Sequence, residues 1–274
     1  MPMSKTIAIT GASGFIGQAI CRRLHTEGWH IRALVRSAGS AQQLADCTDE
    51  TVSGDIHDHA ALEQLCRDTF AVVHCAGVVR GATAQAFDSV NVEGVRRLVE
   101  VLSAQDAPAR LLCLSSLAAR EPALSFYAAS KYKGEQVLQQ EADALQWIAL
   151  RPPAVYGPGD RELLPLFRLM AKGIAPLPGV RDARFSMIFV EDIARLVGSW
   201  LRSDTVLNGV YSVHDGRQGG YSWADVINAV EHLCQRQVRA VRIPPAVFAL
   251  PAWINRSLAR WLGYAPMLTP EKLR

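Results

Sequence analysis

The stretch Thr10-Gly11-Ala12-Ser13-Gly14-Phe15-Ile16-Gly17 constrains this chain more than any other. Ahead of it, Thr6-Ile7-Ala8-Ile9 is an apolar run that predicts a buried strand. Behind it, Phe15, Ile16, Ala19, Ile20 and Leu24 fall on one stripe of a helix. The glycines therefore sit on a tight strand-to-helix turn. Gly11 has no Cβ and permits the positive φ of a sharp turn. Gly14 leaves room for a diphosphate against the main chain, and Gly17 lets the helix pack close to the sheet. The N–H groups of the first helical turn then face the phosphates. Strand, glycine turn and helix together predict a nucleotide site.

Strand-like and helix-like segments alternate after that turn. Strands are predicted at 30–35, 50–53, 70–75, 111–114 and 147–150, and helices at 59–67, 89–105 and 125–140. Such alternation predicts an α/β fold, a doubly wound parallel sheet with helices on both faces. The character changes at Arg151-Pro152-Pro153, and proline and glycine cluster again at 156–159 and 176–179. Residues 1–155 read as a dinucleotide-binding domain to which 186–214 returns, and 156–274 as mainly a smaller C-terminal substrate lobe. Helices are expected there at 162–171, 191–202 and 223–235, and a strand at 210–213. The lobe is expected over the carboxyl edge of the sheet, where ligands of such folds bind.

Composition narrows the function classes. Of 274 residues, 49% are hydrophobic and 20% charged, enough for a sizeable core. The net charge of +3 comes without any block of Lys and Arg interleaved with aromatics, so no nucleic-acid partner is expected. No apolar run reaches the ~18 residues of a membrane span. The six cysteines include no Cys-x-x-Cys pair, and Cys75 and Cys113 lie in apolar runs. Free thiols in a reducing compartment are expected. The N-terminus enters its first strand without a signal-peptide pattern, which points to the cytoplasm. His57 and His59 with Asp55 and Asp58 fall on a strand-to-helix turn, where capping is expected and a metal is not. Val95, Leu98, Val99 and Leu102 form an apolar stripe that reads as core or dimer face, for a monomer or homodimer.

Tyr127-Ala128-Ala129-Ser130-Lys131 puts a tyrosine and a lysine on one helix face. A free tyrosine titrates near pH ~10, too high for a base at neutrality. A neighbouring lysine cation, with a positive nicotinamide, favours the phenolate. Ser116, at the end of a strand, is placed to donate a hydrogen bond to a substrate oxygen, and Ser115 competes for that role. The plain alternative is a surface helix carrying Tyr and Lys by chance. With the upstream glycine turn, the three side chains instead form a proton-transfer set for alcohol–ketone interconversion.

These motifs resemble the short-chain dehydrogenase/reductase superfamily. Arg151-Pro-Pro-Ala-Val-Tyr-Gly-Pro-Gly159 and Arg184-Phe-Ser-Met-Ile-Phe-Val-Glu-Asp192 are similar to its extended branch, which holds nucleotide-sugar epimerases and dehydratases and hydroxysteroid dehydrogenase-like enzymes. Gly263-Tyr-Ala-Pro-Met-Leu-Thr-Pro270 resembles the tail of the steroid group. The resemblance implies the Rossmann-type form of the fold and assigns positions. Gly11, Ser13, Gly14, Phe15, Ile16 and Gly17 hold the diphosphate, and Asp55 and Ile56 meet the adenine. Ala76 and Gly77 line the cofactor channel. Pro152, Ala154 and Val155 border the nicotinamide, and Asn91 supports the active-site region. Tyr127 is the acid/base, Lys131 its partner and ribose ligand, and Ser116 the oxygen donor. Tyr156 and Arg184 face substrate, Arg184 as a phosphate ligand in the nucleotide-sugar manner or in a surface ion pair. Two departures stand out. Ser116 and Tyr127 are only 11 positions apart, which demands a tight loop. Arg274 follows the tail motif directly, so a last helix is expected to be missing.

The reading that results is an NADP(H)-dependent oxidoreductase that interconverts a hydroxyl and a ketone on a small-molecule substrate, with NAD(H) as the other possible cofactor. A NAD-selective site places Asp or Glu at the end of the second strand, and here that place holds Arg36-Ser37. The competing readings are a nucleotide-sugar epimerase or dehydratase with tightly bound NAD(P), and a non-catalytic NAD(P)-binding subunit or redox sensor. The segment from Pro244 to Leu262 carries Trp253, Trp261 and a run of aliphatics with Arg256 and Arg260. It is expected to roof an apolar substrate pocket, against a membrane-surface helix that Pro251 would interrupt.

Overall fold

The computed structural model describes residues 5–178, 183–205 and 207–243. The first elements in chain order are β1 (Thr6–Thr10), α1 (Phe15–Thr26), β2 (His30–Val35), α2 (Ala38–Leu44), β3 (Glu50–Ser53), α3 (His59–Cys66) and β4 (Ala71–His74). There follow α4 (Ala84–Asn91), α5 (Glu93–Ser103), β5 (Arg110–Leu114), α6 (Phe126–Glu141), β6 (Trp147–Arg151), β7 (Ala154–Tyr156) and α7 (Leu164–Ala171). The rest are β8 (Ile174–Pro178), β9 (Arg184–Phe185), β10 (Met187–Phe189), α8 (Val190–Arg202), β11 (Gly209–Ser212), β12 (Tyr221–Ser222), α9 (Trp223–Cys234) and β13 (Arg239–Ile243). The described residues of Met1–Val79, Thr83–Pro152 and Val190–Val213 form one compact unit, and those of Arg80–Ala82, Pro153–Phe189 and His214–Arg274 a second.

In the first unit seven strands form a single sheet in the order β11-β6-β5-β4-β1-β2-β3. Every neighbouring pair is parallel, so each connection must cross over, and helices supply the crossovers. Parallel strands are covered on both faces, which explains their unbroken apolar character. Ile7, Ala8, Ile9 and Thr10 of β1 are fully buried. Ala8, Val72, Leu111 and Ala149 share a core with Leu62 and Leu65 of α3, Leu98 and Leu102 of α5, and Val137 and Leu138 of α6. Ile7 and Ile9 point the other way along the same strand. That face is closed by α1 and α8, which pack on each other through buried Ile20, Leu24 and Val197. Glu27, just past α1, pairs with Arg23 and Arg202 at 2.5 Å each. Chain order reverses between β1 and β4, which makes their carboxyl ends the ligand crevice of this architecture.

The sheet and most crossovers fall where the sequence predicts them, and one local expectation changes. The helix expected over 89–105 is two helices, because it starts earlier, at a Thr83 cap on the Ala86 N–H, and breaks at Val92. Val92 (φ −109°) lets Asn91 end α4 and Gly94 settle against the Ile56 side chain. The helix α2 lacks an apolar stripe and rests instead on a Ser37 cap that accepts from the Ser40 N–H at 3.2 Å. Asp58 caps α3 by accepting from the Ala61 N–H at 3.1 Å, and the stripe of Val95, Leu98, Val99 and Leu102 is core.

The second unit has short strands that proline and glycine hide from a periodicity reading. β7 pairs with β10, β9 with β12, and β8, which contains Pro176 and Pro178, with β13. Met170, Ala175, Leu177, Met187, Val226 and Val238 form its core, with the Phe185 and Trp223 rings 4.6 Å apart beside it. The segment 244–262 and the motif 263–270 lie outside the described residues.

His74 closes β4 fully inside the first unit, its Nδ1 2.7 Å from the Thr10 hydroxyl oxygen. Burial, helped by the Lys131 cation, pushes its pKa from 6.5 down to about 3. Below pH 6.5 the unfolded chain takes up a proton at this residue that the native protein refuses until about pH 3. Stability is therefore whole above that window and falls as the pH drops through it, by up to ~1.4 kcal/mol per pH unit. Urea unfolding measured from pH 7 to pH 4 is expected to show this slope, and His74→Gln to flatten it; equal slopes for the two proteins would exclude His74 as the cause.

Candidate active site

The glycine turn leaves β1 at Gly11, whose φ is +66°. A Cβ there would sit 2.4 Å from the Ala76 nitrogen, so the turns after β1 and β4 approach to a distance only glycine allows. Gly14 N–H donates to the Gly11 carbonyl at 3.0 Å, and Gln18 Nε2 donates to the Ser13 carbonyl at 2.8 Å. A Cβ at Gly17 would lie 2.2 Å from the Gly11 oxygen, so this glycine too is required by contact. The α1 helix begins with Gly14 as its cap, with no side chain bonded to the first N–H groups and no acidic residue in the first turn. Phe15, Ile16 and Gly17 therefore present donors with no intrahelical acceptor. Such a cradle fits a diphosphate.

The neighbouring positions vary in how well they suit the roles expected of them. Arg36 is exposed at the end of β2, directly before the Ser37 cap. Asp55 is exposed, and its Oδ1 accepts from the His57 N–H at 2.7 Å. Ile56 is a buried core residue packed on Gly94. Ala76 N–H donates to Thr10 Oγ1 at 3.4 Å. A Cβ at Gly77 would come within 3.0 Å of Lys131 Nζ and 3.1 Å of Asn91 Oδ1, so only a glycine leaves those groups where they are.

The helix α6 carries Tyr127 and Lys131. Ser125 caps it, accepting from the Ala128 N–H at 3.1 Å. Tyr127 and Lys131 follow one turn apart. The Tyr127 ring lies against Phe87, centroids 6.2 Å apart. Burial pushes the Tyr127 hydroxyl above its ordinary pKa, and the neighbouring Ser116 side chain offsets part of that rise. This reverses the expectation that Lys131 draws Tyr127 down. The Lys131 ammonium is turned to the Leu114 carbonyl, 2.8 Å away, and burial lowers its own pKa to about 8. Ser116 is the N-cap of a short 3-10 turn, its Oγ accepting from the Ala118 N–H at 3.2 Å. Two such turns, 117–120 and 122–124, make up the tight connection to Tyr127. Ser115 is buried and gives its hydroxyl proton to Glu135. Of the two serines, Ser116 is the one whose side chain acts on the tyrosine hydroxyl.

Asn91 spends its amide on structure. Its Nδ2 donates to the Val78 carbonyl at 3.0 Å and to Ser130 Oγ at 2.9 Å, while its Oδ1 accepts from the Val78 N–H at 2.9 Å. Ser130, Glu135 and Arg151 were not picked out from the sequence. Glu135 had a signal, because it continues the four-residue spacing of Tyr127 and Lys131. Pro152 ends the first unit, its carbonyl accepting from the Leu117 N–H at 2.9 Å. The remaining expected positions belong to the second unit. Ala154, Val155 and Tyr156 form β7, with the Tyr156 and Phe189 rings 5.5 Å apart. Arg184 donates to the carbonyls of Gly219 and Gly220 at 2.5 and 3.2 Å.

Comparison with known proteins agrees with this architecture. The sequence profile of the NAD dependent epimerase/dehydratase family matches residues 7–213. A ceramide reductase of Caulobacter vibrioides is 38% identical over 251 residues, covering 91% of this chain and 77% of that protein. A decarboxylating sterol-4-alpha-carboxylate 3-dehydrogenase of Saccharomyces cerevisiae is 24% identical over 99% of this chain and 88% of that protein. Among solved structures, the Bordetella bronchiseptica enzyme WbmH in complex with NAD+ aligns with a TM-score of 0.72 at 24% identity, covering 88% of this chain and 86% of that one. Among the described residues no helix is long and apolar enough to cross a membrane. With a parallel sheet ordered around a glycine turn and the family profile running through all of it, this chain belongs to the NAD dependent epimerase/dehydratase family and is an NAD(P)-dependent enzyme of the extended short-chain dehydrogenase/reductase type.

Proposed function

We propose that the protein is an NADP(H)-dependent reductase that converts a ketone of an apolar small molecule to the alcohol, with Tyr127 as the proton donor. The observation that carries this reading is the state of Tyr127. Its buried hydroxyl has Ser116 as a neighbour and stands one helical turn before Lys131, and burial keeps it protonated at neutral pH. Reduction of a carbonyl needs such a group, because negative charge develops on the oxygen as hydride reaches the carbon. NADPH, when bound, supplies the hydride. Ser116 donates to the substrate oxygen and Tyr127 gives it the proton, so carbonyl, hydride and proton become one alcohol. The Lys131 cation stabilises the phenolate left behind. The similarity to a ceramide reductase, 38% identical to this chain, supports an apolar substrate.

Tyr127→Phe removes the proton-carrying oxygen and no bulk. NADPH consumption with cyclohexanone and with a long-chain methyl ketone is expected to fall by roughly 10²–10⁴-fold, with cofactor affinity nearly intact. Turnover within a few-fold of the parent would remove Tyr127 from the mechanism. For an epimerase or dehydratase, the reading that the family profile also supports, the cofactor would stay bound through dialysis and nucleotide sugars would turn over while ketones would not.

The NADP(H) preference rests on Arg36. No carboxylate stands at the end of β2 to accept from a ribose 2′-hydroxyl, and an exposed guanidinium offers paired donors to a 2′-phosphate. Fluorescence titration is expected to give tighter binding of NADPH than of NADH. Arg36→Ala should erase most of the difference, on the order of 10-fold or more for a charge-assisted contact. Equal or tighter NADH binding by the parent protein would overturn the preference.

A further inference from the structure

We infer that Glu135 is a positioning residue for this site: through Ser115 it holds the backbone of Ser116 in place against Tyr127 and Lys131. The inference rests on the Ser116–Tyr127 pairing used above and concerns what keeps that pairing in register.

Glu135 is 3% exposed. A carboxylate so buried needs several donors, and it has three. Arg151 gives it Nε at 2.8 Å and Nη2 at 2.5 Å, and Ser115 gives it a hydroxyl proton. The two partners stand on different pieces of the sheet. Arg151 ends β6, and Ser115 opens the turn after β5 that delivers Ser116. Glu135 itself lies on α6, one turn beyond Lys131 and two beyond Tyr127, on the same face. One carboxylate thus ties the helix with the acid and the lysine to the turn with the serine.

The other bonds of that turn run to β6 rather than to α6. Ser115 N–H donates to the Leu150 carbonyl at 2.7 Å, and Leu117 N–H to the Pro152 carbonyl at 2.9 Å. They fix the backbone on both sides of Ser116 within the sheet and leave its distance from the helix open. Two side-chain bonds set that distance besides the Ser116–Tyr127 contact itself: Lys131 to the Leu114 carbonyl and Ser115 to Glu135. Lys131 is also assigned to the chemistry, which leaves Glu135 as the purely positional tie. The planar fork of Arg151 fixes the plane of the carboxylate and so the direction in which Ser115 must bond. An apolar pair of similar volume would stabilise a core at least as well as a buried ion pair, so the specific consequence of this pair is geometric.

The test reads Tyr127 directly and needs no substrate. The full chain is labelled with carbon-13 at tyrosine Cζ, and Tyr127→Phe identifies the Tyr127 resonance among the six tyrosines. At neutral pH its position reports the hydrogen bond at the hydroxyl. Ser116→Ala sets the displacement that comes with loss of the bond. Ser115→Ala removes one hydroxyl, leaves the Glu135–Arg151 pair intact, and is expected to move the resonance at least half of that displacement. In the Ser116→Ala background, Ser115→Ala should add nothing, because it acts only through Ser116. Glu135→Leu combined with Arg151→Leu, checked for folding by circular dichroism, is expected to reproduce the Ser115→Ala displacement. Turnover by Ser115→Ala should fall about 10-fold to 100-fold, the scale of a misplacement by an ångström. If Ser116→Ala leaves the resonance in place, the underlying Ser116–Tyr127 pairing fails. If Ser116→Ala moves it and Ser115→Ala does not, or the two displacements simply add, the positioning role of Glu135 is overturned; a doubly substituted chain that does not fold leaves Ser115→Ala to decide.

Discussion

The approach of Gly11 to the backbone of Cys75 and Ala76 is the contact on which the rest of this structure depends. The sheet reverses direction of growth between β1 and β4, and the turns that leave those two strands must share one crevice. They share it at 2.4 to 2.7 Å from where a Cβ of Gly11 would stand, a separation no other residue tolerates. From that approach follow the direction in which α1 departs and the seat of Gly17 on the Gly11 carbonyl. It also brings Gly77 next to the Lys131 ammonium. The glycine turn and the surroundings of Lys131 are thus two ends of one steric constraint.

Desolvation then decides what the groups around the crevice can do. Buried His74 and Cys113 and half-buried Cys75 lie around Lys131. Burial drives His74 to about 3 and the two thiols to about 12, so all three are neutral. Among the described residues no carboxylate pairs with Lys131; its ammonium rests on a backbone carbonyl, and its pKa falls to about 8. The same burial holds Tyr127 in its protonated form, with Ser116 pulling against it. In the reading proposed above, neutral surroundings, a marginal cation and a protonated phenol suit the delivery of a proton, whereas a base at neutral pH would need the opposite bias. The buried negative charge of Glu135 is matched at once by Arg151.

Much of the architecture was determined by the sequence itself. Alternating apolar strands and amphipathic helices admit few folds, and the glycine turn names the strand at which the sheet reverses. The spacing of Tyr127 and Lys131 puts them on one helix face, because an α-helix returns every 3.6 residues. Those features are local, and local periodicity survives in any tertiary setting.

What only the tertiary structure decided depends on partners far away in the chain. That Ser115 spends its hydroxyl on Glu135, 20 positions on, is one such long-range pairing. Ile56 turned out to be core because Gly94 leaves a place for it. The direction of the shift at Tyr127 could not be read from a Tyr–Lys spacing, since it is set by how much water burial removes and by where the Lys131 ammonium points. The strands β8 and β13 pair across 60 residues through a segment whose prolines read locally as breakers. Sequence specifies which groups share an element, whereas desolvation and long-range pairing specify what those groups do there, and both are properties of the packed chain.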